Sequence, residues 1–156
     1  AAAWLSARNL PVPAEIYEGA PDSEGGWTTR TGSEEFLLRS AASSSQPGLS
    51  GSDSAGEVLI TDRQDAIFVV AGHRIGELMA QTCGLDYVSL PERQTLFSRV
   101  AGVSCGMIKD QLNGIPVCWL WLDPSYALYL WEQLVQITTD LDGKIVGVSC
   151  FYPDIA

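Results

Sequence analysis

The sequence predicts an α+β fold with mostly antiparallel sheets and two main helices. Short runs of β-branched and apolar residues recur, each bounded by polar or glycine-containing turns, which is typical of strands joined by hairpins. Two further segments place apolar residues three and four positions apart, which indicates amphipathic helices. A chain of 156 residues has the length of one domain, so we expect a single domain over residues 1–156.

The first third of the chain is predicted to hold one hairpin. Residues 27–30 and 35–38 are strand-like and flank a Gly32-Ser33 turn. The nearby prolines favour an extended N-terminal arm over residues 1–14. Residues 40–56 are rich in serine, glycine and alanine and hold few large apolar side chains, so we expect a mobile loop there.

The clearest pattern begins at residue 58. Residues 58–62 and 66–70 are β-branched and apolar, and the polar residues between them predict a hairpin with a three-residue loop. A helix of about three turns follows, because apolar residues recur at helical spacing up to Gly84, a residue type that ends helices in a left-handed conformation. The residues at that spacing are Ile75, Leu78, Met79 and Thr82.

The middle of the chain predicts two strands. Residues 85–91 form a connector that ends in a proline, which cannot donate a hydrogen bond to a sheet. Residues 95–108 are rich in valine, threonine and phenylalanine, but two glycines interrupt them, so we expect one long strand with a bulge or bend. After a turn over residues 110–114, residues 116–122 are apolar throughout, which predicts a central strand.

The last helix has the strongest start signal. Asp123 can accept hydrogen bonds from the free amides of the first turn, and Pro124 suits the first helical position. Aspartates and a glycine within residues 140–143 end the helix, and residues 144–152 are predicted to return as a strand. The apolar stripe of this helix comprises Ala127, Leu130, Trp131, Leu134 and Ile137.

The composition narrows the classes of function. Nineteen acidic residues against nine basic ones give a formal charge of −10, which repels nucleic acid and anionic membrane surfaces. No apolar run reaches the ~20 residues of a membrane-spanning helix and no signal pattern opens the sequence, so we expect a cytoplasmic protein. The four cysteines lack metal-ligand spacing, which predicts buried, reduced thiols and no metal site.

A set of ordered segments in the central block carries a family resemblance. The segments are Cys83-Gly84-Leu85-Asp86, Leu90-Pro91, residues 95–101, Asp123-Pro124-Ser125-Tyr126-Ala127 and Tyr129-Leu130-Trp131. Together they resemble the gamma subunit of heterotetrameric sarcosine oxidase. More distantly, they are similar to the folate-binding domain of the glycine cleavage T-protein, an aminomethyltransferase. The resemblance rests on the order of the segments, and no single tripeptide decides it.

The resemblance implies a mixed α and β domain with the duplicated folate-binding architecture of T-protein-like proteins. It implies a noncatalytic accessory subunit in one-carbon or amine metabolism, packed on a catalytic protein partner within an oxidoreductase complex, or a homo-oligomer. The alternative is a stand-alone folate-like ligand-binding protein or an aminomethyltransferase-like enzyme. Its ligand would be tetrahydrofolate or another pterin, with no covalently bound cofactor.

One departure from the family pattern favours the noncatalytic role. T-proteins carry a functional carboxylate after the strand that corresponds to residues 95–101, whereas residues 103–109 of this chain hold no acid. Asp110 is predicted to lie in the next turn, so it is not equated with that carboxylate. We therefore expect no turnover of folate or amine substrates by the isolated chain.

Crowded aromatic residues supply the candidate contacts to a ligand or a partner. Because side chains alternate along a strand and rotate around a helix, these residues cannot all face one core, and we expect some to be exposed. A thick aromatic core covered by another element is the alternative. The candidate residues are Arg99, Trp119, Trp121, Tyr126, Tyr129 and Trp131, and no residue is assigned a catalytic role.

Overall fold

The computed structural model describes residues 1–23, 26–39, 54–55, 58–112 and 114–147. These residues form an α+β structure with antiparallel sheets, which confirms the predicted fold class at this level. The chain divides into two compact units, one of Ala1–Arg63 with Tyr152–Ala156 and one of Gln64–Phe151. The single domain expected over the whole chain stays a prediction. Among the described residues, no helix is both long enough and apolar enough to cross a bilayer.

The first unit contains a small antiparallel sheet. Its strands are β1 (Gly19–Pro21), β2 (Trp27–Arg30) and β3 (Phe36–Arg39), in the order β1-β2-β3. The hairpin predicted around Gly32 and Ser33 is thereby confirmed. Arg30 holds its turn, because the guanidinium donates hydrogen bonds to the carbonyl oxygens of Gly32 (3.1 Å) and Ser33 (2.7 Å).

The N-terminal residues 1–14 differ from the predicted extended arm. Ala2–Ser6 form a short helix, α1, and Leu5 and Leu10 are buried. The alanine-rich start has high helix propensity, whereas a proline at position 11 restricts the backbone only from residue 10 onward. The prediction therefore extended the influence of the prolines too far towards the N-terminus.

The hairpin predicted between residues 58–62 and 66–70 is wrong. β5 (Val58–Leu59) pairs with β4 (Ser54–Ala55), whereas β6 (Ala66–Ala71) pairs with β9 (Ile115–Leu122). β9 is long and apolar, so β6 gains apolar cross-strand side-chain contacts by pairing with it. These contacts stabilise β6 more than the polar end of the predicted hairpin would. Apart from Ser54–Ala55, the mobile loop expected over residues 40–56 lies outside the described residues.

The second unit has a larger antiparallel sheet. Among the described residues its strand order is β6-β9-β8-β7, where β7 is Thr95–Val100 and β8 is Val103–Leu112. The central position predicted for residues 116–122 is confirmed, because β9 lies between β6 and β8. The helical elements are α2 (Ile75–Thr82), a 3-10 turn (Pro124–Tyr126) and α3 (Ala127–Asp140), so both predicted main helices are confirmed.

One face of this sheet forms a core with the helices. Leu120 and Leu122 of β9 belong to the same buried cluster as Leu130 and Leu134 of α3. The apolar side of α2 joins that cluster through Ile75, Leu78 and Met79. Full burial of a leucine side chain contributes about 1.5–3 kcal/mol relative to exposure, so this cluster is the main interaction that holds α3 on the sheet.

The residues from 95 to 108 form a hairpin and not the single bent strand that their composition predicts. β7 and β8 are joined by Ala101 (φ 47°) and Gly102 (φ 85°), two successive left-handed residues as in the tight turns that fit sheet twist. Alanine is an unusual residue at such a turn, so the turn is difficult to recognise from the sequence. The Ala101 amide donates to the Thr82 carbonyl oxygen (2.7 Å), and this hydrogen bond holds the turn against α2.

The end of α2 also differs from its prediction. Cys83, with extended backbone angles (φ −126°, ψ 137°), follows the last helical residue, and it forms a β-bridge with Val100. Gly84 is not in a left-handed conformation, since the described left-handed glycines are at positions 72, 102 and 114. The bridge to β7 therefore draws the backbone out of the helix one residue before the glycine.

The connector from α2 to β7 has no strand, as predicted, and Lys109 of β8 fixes it. The Lys109 ammonium donates to the carbonyl oxygens of Val88 (2.8 Å) and Leu90 (2.9 Å), and it lies 5.4 Å from the centroid of the Tyr87 ring. The buried Tyr87 hydroxyl donates to the Val117 carbonyl oxygen (3.3 Å). The connector is thus held to β8 by the Lys109 ammonium and to β9 by the Tyr87 hydroxyl.

The chain after α3 leaves the helix through a tight turn. The Gly143 amide donates to the Thr138 carbonyl oxygen (2.7 Å), and residues 143–147 have no regular secondary structure. The first part of the strand predicted over residues 144–152 is therefore absent from the described residues. Residues 148–152 lie outside them.

Asp123 accepts capping hydrogen bonds as predicted, but it caps the 3-10 turn Pro124–Tyr126, and α3 itself begins at Ala127. The Asp123 carboxylate accepts hydrogen bonds from the Ser125 amide (2.9 Å) and the Ser125 hydroxyl (2.6 Å). These hydrogen bonds hold the pKa of Asp123 below its ordinary value of 3.8, and the hydrogen bond from the Ser125 hydroxyl has the larger effect. Asp123 therefore fixes the turn that directs the chain from β9 into α3.

We expect Asp123→Ala to lower the urea midpoint of unfolding at pH 7. Because folding lowers the pKa of Asp123, its contribution to stability is present above the ordinary aspartate pKa and is lost as the pH falls through the folded-state value. The difference between wild type and variant should therefore shrink below pH ~4. Urea titrations at pH 7 and in acid, followed by circular dichroism, measure this. A difference that stays constant with pH would contradict the role of the carboxylate.

Candidate functional site

Trp119 and Trp121 lie on the face of the sheet opposite to the helices. Side chains alternate along a strand, and their neighbour Leu120 belongs to the core beneath α3. Phe97 shares the side of Trp121, since the two rings meet edge-on with centroids 5.9 Å apart. Arg99 lies two residues along β7 from Phe97, which puts this exposed residue on the same side. We call this surface the outer face of the sheet.

A glycine makes room for Trp121 on the outer face. In the strand register, Ile67, Trp121, Gly106 and Phe97 form one row across β6, β9, β8 and β7. A methyl group added at Gly106 would overlap the Trp121 indole. The indole therefore lies across the Gly106 backbone. It occupies the space between the side chains of Ile67 and Phe97, which are each 54% exposed.

The remaining aromatic candidates lie on the helical side of the unit. Tyr126 is 56% exposed, Tyr129 49% and Trp131 39%. The Trp131 ring is tilted against that of Phe68, with centroids 5.8 Å apart, and Phe68 packs against the core cluster. The expectation that some aromatic residues are exposed is therefore confirmed for these three.

The structure does not bring the six candidate residues into one site. Arg99, Trp119 and Trp121 lie on the outer face of the sheet, whereas Tyr126, Tyr129 and Trp131 belong to the elements that cover the opposite face. A single small ligand cannot contact both groups, because the core cluster lies between them. Contact of either group with a ligand or a partner stays a prediction.

Two residues that the sequence prediction overlooked complete the helical group. Leu128 is 70% exposed, and Glu132 is also exposed. Residues three and four apart on a helix are neighbours, so Glu132 lies beside both Tyr129 and Leu128. We call Leu128, Tyr129 and Glu132 the outward face of α3. A helical projection of the sequence could have located this outward face, because Leu128 falls outside the stripe formed by Leu130 and Leu134.

The thiols in the described part of the chain are buried, as predicted. Cys83, Cys105 and Cys118 are free thiols within the core cluster. Burial raises the pKa of Cys105 to about 11 and that of Cys118 to about 12. Both are therefore protonated at neutral pH, which makes them poor nucleophiles. Cys150 lies outside the described residues.

Asp110, the acid that follows residues 103–109, has a charged partner. Asp110 lies within β8 opposite Val117, and not in the predicted turn, and its carboxylate is 3.8 Å from the Arg93 guanidinium. Within the described ranges, His, Cys, Asp and Glu side chains form no group of three or more that could hold a metal ion. Asp110 is thus held in an ion pair with Arg93.

Comparison with protein-family models finds no match to this sequence, and comparison with curated proteins finds none either.

We expect Gly106→Ala to destabilise the protein by about 1–3 kcal/mol, because the added methyl group displaces the Trp121 indole. Gly84→Ala is the matched control, since a methyl group there meets no atom within 4 Å. Urea unfolding of both variants measures the difference. In a Trp121→Ala background the cost of Gly106→Ala should fall. An equal cost in both backgrounds would contradict the steric account.

The buried thiols should resist alkylation in the folded protein. We expect iodoacetamide at pH 7.5 to leave Cys105 and Cys118 unmodified in the native protein and to modify both in guanidinium, because reaction requires an accessible thiolate. Peptide mass spectrometry reads each position separately. Rapid labelling of Cys105 without denaturant would show that this thiol is accessible and reactive.

Proposed function

We propose that this chain is a noncatalytic accessory subunit that packs on a catalytic protein partner in one-carbon or amine metabolism. In this proposal it has a role similar to that of the gamma subunit of sarcosine oxidase and the architecture of T-protein-like folate-binding domains. The ordered segments of residues 83–131 that resemble that subunit motivate the assignment of the pathway. The antiparallel α+β structure is compatible with it.

The observation that carries the proposal is the outward face of α3. This helix packs on the core through the buried Leu130 and Leu134, yet it also presents Leu128 and Tyr129 to solvent. Its stability does not require these side chains, because Leu130 and Leu134 provide the packing. Exposed leucine and aromatic residues beside one another are typical of protein interfaces.

The arrangement of acids and thiols supports the noncatalytic part of the proposal. Asp110 forms an ion pair with Arg93, and Cys105 and Cys118 are buried and protonated at neutral pH. A general base needs a free carboxylate or imidazole that can reach substrate, and a thiol nucleophile needs its thiolate. These groups meet neither condition.

Affinity capture from native extract tests the proposal. We expect the full chain to retain a catalytic subunit that oxidises an amine or uses tetrahydrofolate, and we expect Leu128→Ser to lose most of it. Val88→Ser is the matched control, because Val88 is 71% exposed but lies in the connector after α2. Mass spectrometry identifies the retained protein, and an amine oxidase or tetrahydrofolate assay establishes its activity.

Two results would contradict the proposal. One is capture of no catalytic subunit by the wild-type chain or equal capture by wild type and Leu128→Ser. The other is tetrahydrofolate-dependent turnover by the purified chain alone, which would favour the stand-alone enzyme. Thermal melting of the purified chain with and without tetrahydrofolate reports ligand binding separately, since a ligand of the folded state raises the melting temperature.

A further inference from the structure

We infer that the outward face of α3 binds a cationic protein surface, in which arginine or lysine side chains surround an apolar centre. The inference rests on the proposed function and adds the chemistry of the partner. Its starting point is the charge of the segment that carries the face. Residues 110–143 contain five acidic residues and no lysine or arginine.

Glu132 is the carboxylate available to such a partner. It is exposed between Leu128 and Tyr129, and no lysine or arginine in the described part of the chain forms an ion pair with it. Other acids of the segment are engaged. Asp123 accepts from Ser125, Asp140 accepts from Gln136, Asp110 pairs with Arg93, and Asp142 lies 3.8 Å from Arg74.

An aromatic ring beside a free carboxylate suits a guanidinium group. The carboxylate accepts hydrogen bonds from arginine in a planar pair, and the face of a tyrosine ring attracts the same cation. Tyr129 and Glu132 lie three residues apart on the helix, so one arginine side chain can reach both. Leu128 supplies the apolar contact that burial of the pair requires.

Charge also decides against a second copy of this chain as the occupant. Each copy carries a formal charge of −10, and a symmetric dimer through this face would bring Glu132 near its equivalent. Arg74 donates to the Leu141 carbonyl oxygen, just after the last residue of α3, and pairs with Glu77. It therefore does not neutralise the face around Glu132.

Two amphipathic helical peptides of equal length provide the probe, one of leucine and arginine and the other of leucine and glutamate. We expect the full chain to bind the arginine peptide more tightly in calorimetric titrations, with an affinity that falls as salt increases. Glu132→Gln should lower that affinity about twofold to fivefold. Tyr129→Leu should lower it by a similar factor through loss of the cation–ring contact.

A charge reversal and a control make the test specific. Glu132→Arg should reverse the preference towards the glutamate peptide. Glu35→Gln is the control, since it removes an exposed charge from the β2–β3 turn. It should change the affinity for the arginine peptide no more than a small change in salt concentration does. Equal affinity for both peptides, no binding of either, or no effect of Glu132→Gln would overturn the inference. A dimer in sedimentation that Leu128→Ser dissociates would overturn it in favour of a second copy.

Failure of this inference is distinguishable from failure of the proposed function. If native capture still yields a catalytic subunit that Leu128→Ser loses, while the arginine peptide shows no advantage, the face is an interface and only its charge preference is wrong. If capture yields no such subunit, the accessory role itself fails.

Discussion

The alternation of side chains along β9 is the constraint on which the second unit depends. Cys118, Leu120 and Leu122 point into the core, so α3 must pack on that side with Leu130 and Leu134. The same alternation turns Trp119 and Trp121 to the outer face of the sheet. The candidate aromatic residues are therefore divided by the core, and the helix that seals the core is left with a second, exposed apolar side.

Local patterns predicted those parts of the fold that local interactions decide. Asp123 and Pro124 indicated the 3-10 turn that leads into α3, and the run over residues 116–122 indicated a central strand, because capping and apolar content act within a few residues. The partner of β6 was missed, since it depends on contacts with β9, about 50 residues away in the sequence. The turn at Ala101 was missed because alanine rarely adopts a left-handed conformation, and its hydrogen bond to Thr82 is not visible in the local pattern.

The candidate site was predicted in composition but not in arrangement. Aromatic enrichment correctly indicated exposed rings at Tyr126 and Tyr129, whereas grouping them with Trp121 overlooked that α3 covers the opposite face of the sheet. Glu132 was overlooked because a lone carboxylate carries no motif, and its interest comes only from its neighbours on an exposed helix. The ion pair of Asp110 was not predicted, because it depends on a tertiary contact, whereas the burial of Cys105 was predicted.

Chemical-shift mapping of the full chain during titration with the leucine and arginine peptide tests the central claim most directly, because it locates the binding surface without altering a residue. We expect the largest amide shifts between residues 126 and 136, around Leu128, Tyr129 and Glu132, with little change on the outer face of the sheet. Largest shifts at Trp119, Trp121 and Phe97 would contradict this expectation and would assign recognition to the sheet.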